Sequence, residues 1–202
     1  MRWDHLRLDD QLAADPEPDD GDTLFTPPRR DVALPLIERG AVARTFDTPG
    51  FRGMTFFEVQ AKSVVNRVPD ASRMPFRWTI NPYRGCQHSC VYCYARHSHS
   101  YLEFDTGKDF DTKVVVKVNA PELVRKKMAS PGWQGEHIAM GTNVDCYQRA
   151  EGRYRLMPGI IGALKDAANP FSILTKGTLI LRDIELLAEA AQVTDVVLNV
   201  SF

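Results

Sequence analysis

The sequence predicts an α/β fold built on parallel βα units, and three observations carry that prediction. Past Arg77, short strand-like apolar runs alternate with helix-like stretches of roughly 10 to 15 residues, the rhythm of crossover connections. The 202 residues are 44% apolar and 25% charged, with a net charge of −1. That balance belongs to an ordinary folded chain and excludes a collagen, a disordered protein or a strongly basic nucleic-acid clamp. No apolar run approaches the roughly 20 residues that span a bilayer. The start, Met-Arg-Trp-Asp-His-Leu-Arg, has no secretory apolar stretch, so a cytoplasmic location with no membrane partner is expected.

Taken in chain order, residues 1–31 carry four basic and nine acidic side chains, a charge of −5, while residues 32–202 carry +4. The run from Ala14 to Asp22 has two prolines and no apolar periodicity, so the sequence predicts a disordered acidic tail. It is either a plain solvated segment or a regulatory lid over a positive cleft. Residues 32–75 read as an irregular N-terminal extension: a short helix opening at residues 34–37, a turn at Gly50 to Gly53, and strand formers over residues 54–59. The core domain is expected over residues 76–202. Its strands are residues 78–81, 113–118, 137–140, 171–175 and 196–200. Between them, Asn119 is placed to cap a helix with Pro121 in its first turn and Glu122 near its positive end. A second helix runs from Leu156 to Ala168 until Asn169-Pro170 stops it, and Asp183 is placed to cap a third carrying Ile184, Leu186, Leu187 and Ala190.

About four core strands follow residue 77, whereas a closed barrel of eight βα units takes about 250 residues. The expectation is a partial parallel (β/α) TIM-type barrel, an N-terminal piece whose last strand lacks its covering neighbour. A partner subunit supplying that edge is the alternative.

Three of the four cysteines fall within eight residues, in Asn81-Pro82-Tyr83-Arg84-Gly85-Cys86-Gln87-His88-Ser89-Cys90-Val91-Tyr92-Cys93-Tyr94-Ala95-Arg96. The C-x3-C-x2-C spacing suits thiolates converging on a soft metal, iron–sulfur or zinc, rather than disulfides in a reducing compartment. Structural sites of both kinds usually have four protein ligands. Three therefore leave an open position, as catalytic metals require. His88, His97 and His99 are near enough in sequence to complete a zinc site instead. A noncatalytic zinc-binding Cys/His module for protein or nucleic-acid interaction is the rival from another class.

This C-x3-C-x-aromatic-C string, directly after the first strand of a βα series, resembles the signature of the radical S-adenosylmethionine (SAM) superfamily. The longer string looks like its spore photoproduct lyase-related, DNA-repair-photolyase-like branch. So do Gly141-Thr142-Asn143-Val144-Asp145-Cys146-Tyr147-Gln148 followed by Glu151, and Leu174-Thr175-Lys176-Gly177 with Arg182-Asp183. The resemblance implies that Cys86, Cys90 and Cys93 ligate a 4Fe-4S cluster whose open iron binds SAM. One electron then splits the sulfonium to a 5′-deoxyadenosyl radical that abstracts hydrogen from a substrate. It further implies Tyr92 against the adenine and Thr142, Asn143 or Asp145 on the cofactor's amino group. Lys176 and Arg182 would meet its carboxylate, and Asn199 and Ser201 its ribose. A one-electron reductant such as a flavodoxin or ferredoxin is the implied partner.

The usual Gly-Gly-Glu form after the second core strand is replaced here by Gly141-Thr142-Asn143. Cys146 is either a small buried hydrophobe or a redox or hydrogen-donor group. Arg125-Lys126-Lys127 and Arg149, Arg153 and Arg155 form two basic groups that can hold phosphates, which keeps nucleic acid open as a substrate.

Overall fold

Two sheets organise the chain in the computed structural model, which describes residues 36–201 except Glu38. The acidic segment 1–31 and the first half of the helix expected at residues 34–37 lie outside the described residues; Leu36 and Ile37 are helical. With strands numbered along the chain, the larger sheet is ordered β3 (Val65–Arg67), β4 (Trp78–Ile80), β7 (Ile138–Met140), β8 (Phe171–Thr175) and β9 (Val196–Val200). β4, β7, β8 and β9 run parallel, and β3 closes one side antiparallel to β4. The smaller sheet is ordered β1 (Val42–Arg44), β2 (Thr55–Val59), β6 (Lys113–Lys117) and β5 (Tyr83–Arg84).

The run at residues 113–118, expected among the core strands, belongs to this second sheet. It pairs parallel with β2, from Thr55 opposite Lys113 to Val59 opposite Lys117, and antiparallel with β5. A continuously apolar strand is buried on both faces wherever it lies, so its composition cannot name its sheet. The extension is built into both sheets, supplying β1 and β2 to one and β3 to the other.

Helices cover the larger sheet. α1 (Lys108–Thr112) leads directly into β6. α2 (Ala120–Met128) and α4 (Leu156–Asp166) pack on each other, and α5 (Ile184–Ala190) packs on α4. Ile160, Ile161 and Leu164 of α4 are fully buried with Ile138, Met140, Phe171 and Ile173 of the sheet. α4 ends where Asn169 sends its backbone N–H to the Leu164 carbonyl at 2.9 Å. The Asn169 side chain accepts from Trp133 Nε1 at 2.6 Å and donates to the Glu136 carbonyl at 3.1 Å.

Two expected caps are corrected. Asn119 makes no capping bond to α2. Its amide instead grips both main-chain groups of Ala61, accepting from the N–H and donating to the carbonyl, each at 2.9 Å. Asp183 does not cap α5 either, because its carboxylate is taken by Arg182 and Tyr147. In both cases a distant partner outcompetes the local helix end for the same acceptor.

The link between the cysteine loop and β6 is a 3₁₀ segment, Tyr94–Leu102, that buries His99 between the rings of Phe104 and Phe110. His99 Nε2 lies 2.9 Å from the Lys113 carbonyl, a bond that a protonated ring nitrogen donates. Burial pushes the imidazole down to about 4, with Arg84 adding to the effect and the Lys113 carbonyl opposing it. The unfolded chain, with His99 near 6.5, then binds the proton more strongly between those two values. The stabilisation is intact above about pH 6.5 and is lost as pH falls toward 4, on the order of 3 kcal/mol in all. Urea unfolding at pH 7.5 and 4.5 should show this loss in the wild type and a clearly flatter response in His99→Gln. Equal slopes would remove His99 from the account.

Candidate metal centre

Parallel strands bring their carboxyl ends to one edge, and the sequence hangs its chemistry there. The cysteine loop follows β4 and β5, residues 141–148 follow β7, Lys176 follows β8 and Ser201 follows β9. The loop begins at Gly85, whose φ of 86° is left-handed and whose missing Cβ would stand 2.8 Å from the Lys113 carbonyl oxygen. Cys86 then anchors by its N–H to the Phe110 carbonyl at 2.9 Å. Successive tight turns follow: Ser89 N–H to the Cys86 carbonyl, Cys93 N–H to that of Cys90, and Arg96 N–H to that of Cys93. Arg96 ties the loop down, donating from Nε to the Cys90 carbonyl at 3.1 Å and from its outer nitrogens to Gly107 and Asp111.

All three thiols are free; Cys86 is buried, Cys90 and Cys93 half-buried. Burial pushes the Cys86 thiol up to about 11, while the amides of His88 and Asp145 lie against its sulfur and pull the other way. A metal ion would overturn that balance, because a coordinated thiol is held as thiolate. The histidines offered as a fourth ligand are placed otherwise. His88 Nε2 lies 3.1 Å from Asp145 Oδ2, His99 is committed to the Lys113 carbonyl, and His97 is exposed. Among the described residues no three His, Cys, Asp or Glu side chains already form a closed metal site. The donor chemistry of this loop, three thiols and no histidine in place beside them, fits a thiolate-held iron–sulfur group with an open position.

Of the groups assigned to a bound cofactor, the fold gathers some and turns others inward. Tyr92 is 75% exposed, and Lys176 sets its ammonium 5.8 Å from the centre of that ring. The same Nζ donates to Ser201 Oγ at 3.1 Å. Tyr94, also exposed, donates its hydroxyl to the Thr142 carbonyl, joining the cysteine loop to the turn after β7. Thr142 and Asn143 are half-buried in that turn, and Asn199 is exposed on β9. Gly141 makes the turn possible: its φ is 79°, and a Cβ there would sit 1.8 Å from the Leu174 carbonyl oxygen.

Asp145 faces into the protein. Its Oδ1 accepts from the Tyr147 amide at 2.8 Å and Thr175 Oγ1 at 2.7 Å, and its Oδ2 from the Lys176 amide at 2.7 Å. Burial raises its pKa, but these donors and His88 outweigh that and hold the carboxyl below its ordinary value. Arg182 is likewise engaged at every nitrogen, by Asp183 and by the carboxylate and carbonyl of Glu151. Cys146 is fully buried in the main core, and burial pushes its thiol well up.

Sequence reasoning missed the polar network beneath this edge. Glu151, in α3 (Arg149–Tyr154), is fully buried. It accepts from the Tyr83 hydroxyl at 2.5 Å, Arg182 at 2.7 Å, and the Leu156 and Met157 amides at 3.0 and 3.1 Å. Tyr147 donates to Asp183 at 3.0 Å and extends the network to the far side of Arg182. Gln87 and Gln148, both buried, bind the cysteine loop to the start of α3. No local signal marked this network, because Glu151 stands among Arg149, Arg153 and Arg155 and reads as one more surface charge.

The two basic groups sit apart. The exposed Arg125 and Lys126 end α2 at the amino edge of the sheet, and Lys127 lies over the rings of Trp78 and Trp133 at 5.3 and 5.1 Å. Arg149, Arg153 and Arg155 are exposed around α3, with Arg153 4.5 Å over the Phe46 ring. No helix among the described residues is long and apolar enough to cross a membrane.

A family model described as the radical SAM superfamily matches residues 80–202. Proteins named as uncharacterized from Mycobacterium tuberculosis and Mycobacterium bovis are 55% identical over 174 residues, covering 86% of this chain and 51% of theirs. One from Methanocaldococcus jannaschii is 35% identical over 131 residues, 64% of this chain and 45% of its own. The chain thus spans about half the length of the curated relatives it matches. No solved structure matches it.

Proposed function

The chain belongs to the radical SAM superfamily, and from that premise we propose that the complete protein reductively cleaves SAM, with Cys86, Cys90 and Cys93 as the ligands of a 4Fe-4S cluster. The observation that carries this is the loop itself: three free thiols wound in tight turns at the carboxyl edge of a parallel sheet, with His99 bonded to the Lys113 carbonyl and His88 Nε2 turned toward Asp145. When bound, the cluster would supply one electron to the sulfonium of SAM, giving methionine and a 5′-deoxyadenosyl radical.

The chain's own residues divide the remaining work. We assign Lys176 to the carboxylate of SAM, a reading supported by its ammonium between Ser201 Oγ and the Tyr92 ring. Thr142 and Asn143 offer polar groups for the amino end. Asp145 and Arg182 support the edge from below, since their polar atoms are already taken. We assign Cys146 to the core. The exposed Val91, Tyr92 and Tyr94 on the cysteine loop are the surface at which a one-electron reductant would meet the cluster.

Substrate and sheet completion belong to the same proposal. A nucleic-acid lesion, as in spore photoproduct lyase-like repair, is the substrate class we propose from the resemblance of residues 141–151 to that branch, and a panel of candidate substrates tests it. Val197, Leu198 and Val200 leave apolar side chains of β9 exposed, which supports further strands adding at that edge in the longer protein. Anaerobic reconstitution of the complete protein tests the reading: a brown protein with about four irons per chain supports it. Colourless protein with one zinc supports the Cys/His module instead.

A further inference from the structure

Gln148 holds the two peptide groups on either side of Cys86. Its Nε2 donates to the Gly85 carbonyl at 3.0 Å, and its Oε1 accepts the Gln87 N–H at 3.2 Å. Those groups belong to the peptide planes before and after Cys86, so fixing both fixes φ and ψ of Cys86 and the direction in which its Cβ leaves the chain. The grip is returned. Gln87 Oε1 accepts the Ala150 N–H at 2.6 Å, supplying α3 with the cap that Gln148 cannot give while its own side chain faces the loop. Gln87 Nε2 meets Met54 Sδ at 2.7 Å, which ties the clasp to the extension just before β2. Gln148 is fully buried and Gln87 nearly so, which makes these amide bonds strong and costly to leave unmade.

His88 of the cysteine loop sets its Nε2 3.1 Å from Asp145 Oδ2 on the turn after β7, so the two loops also lie against each other just past Cys86. We propose that Gln148 is a positioning residue that acts through Cys86, fixing the direction of its sulfur and thereby setting the reduction potential of the bound cluster. Groups that orient a metal ligand tune the metal through it. The inference rests on the cluster assignment proposed above.

Gln148→Met keeps the shape of the side chain and removes both bonds. The test is a redox titration of the reconstituted complete protein followed by electron paramagnetic resonance, alongside iron content and a thermal melt. The expected result is a cluster with wild-type iron content whose reduction equilibrium is displaced at least tenfold, a shift of about 59 mV for one electron. Gln148→Leu also removes both bonds and adds no charge; it should displace the potential likewise and serves if the methionine variant does not fold. An unshifted potential in a fully loaded variant overturns the positioning role while leaving the cluster assignment intact. A wild-type protein that binds no iron overturns the cluster assignment itself.

Discussion

Replacing Cys90 with alanine is expected to abolish SAM cleavage by the complete protein, leaving 5′-deoxyadenosine formation at the level of a no-enzyme control. Cys90 stands half-buried between two tight turns, its carbonyl accepting from both the Cys93 amide and Arg96. Alanine keeps those backbone bonds and removes only the thiol. The fold should therefore survive, with a melting temperature close to that of the wild type, while iron falls well below four per chain. With Cys86 and Cys93 left in the loop, no group of three His, Cys, Asp or Glu side chains among the described residues stands ready to hold a metal in place of Cys90. Cleavage that persists in Cys90→Ala would falsify the assignment of Cys90 as a ligand.

The second large effect is structural. Glu151→Leu should destabilise the protein by about 3–5 kcal/mol, the range for removing one partner of a buried ion pair. The change strands the Tyr83 hydroxyl, two backbone amides at the start of α4 and one face of the Arg182 guanidinium, all of which end on the Glu151 carboxylate. Glu151→Gln keeps an acceptor and should cost less, about 1–3 kcal/mol. Burial raises the Glu151 carboxyl, with Tyr83, Arg182 and the Met157 amide opposing. Because the folded pKa lies above the unfolded one, the stability linked to that proton is present below the ordinary glutamate range. It is lost as pH rises through the folded pKa. Glu151→Gln should lack this decline. Urea midpoints of the two variants across pH 4 to 8 check both points, and a change below about 1 kcal/mol for Glu151→Leu would contradict the network's role.

The parts of this protein legible in its sequence are those set by local spacing. The C-x3-C-x2-C string is one short loop whatever surrounds it, and β4, β7, β8 and β9 announce themselves as short apolar runs separated by helices. What escaped depends on distant partners. The apolar run Lys113–Lys117 suits a buried strand in either sheet, and only β2 and β5 decide which. Asn119 and Asp183 read as helix caps, yet Ala61, Arg182 and Tyr147 claim their oxygens. Arg182 and Asp145 looked like ligand-facing charges because nothing local shows that Glu151, Thr175 and the Lys176 amide will face them. The 3₁₀ segment Tyr94–Leu102 lacks a continuous apolar face, so it signalled no helix.

The central claim is that three thiolates hold a cluster with one position open for SAM. Electron paramagnetic resonance of the reduced, reconstituted complete protein, recorded before and after addition of SAM, tests it most directly. The expected result is a 4Fe-4S signal that changes in shape when SAM is added and is missing from Cys90→Ala. A signal indifferent to SAM, or a protein that takes up zinc and shows no signal, would contradict it.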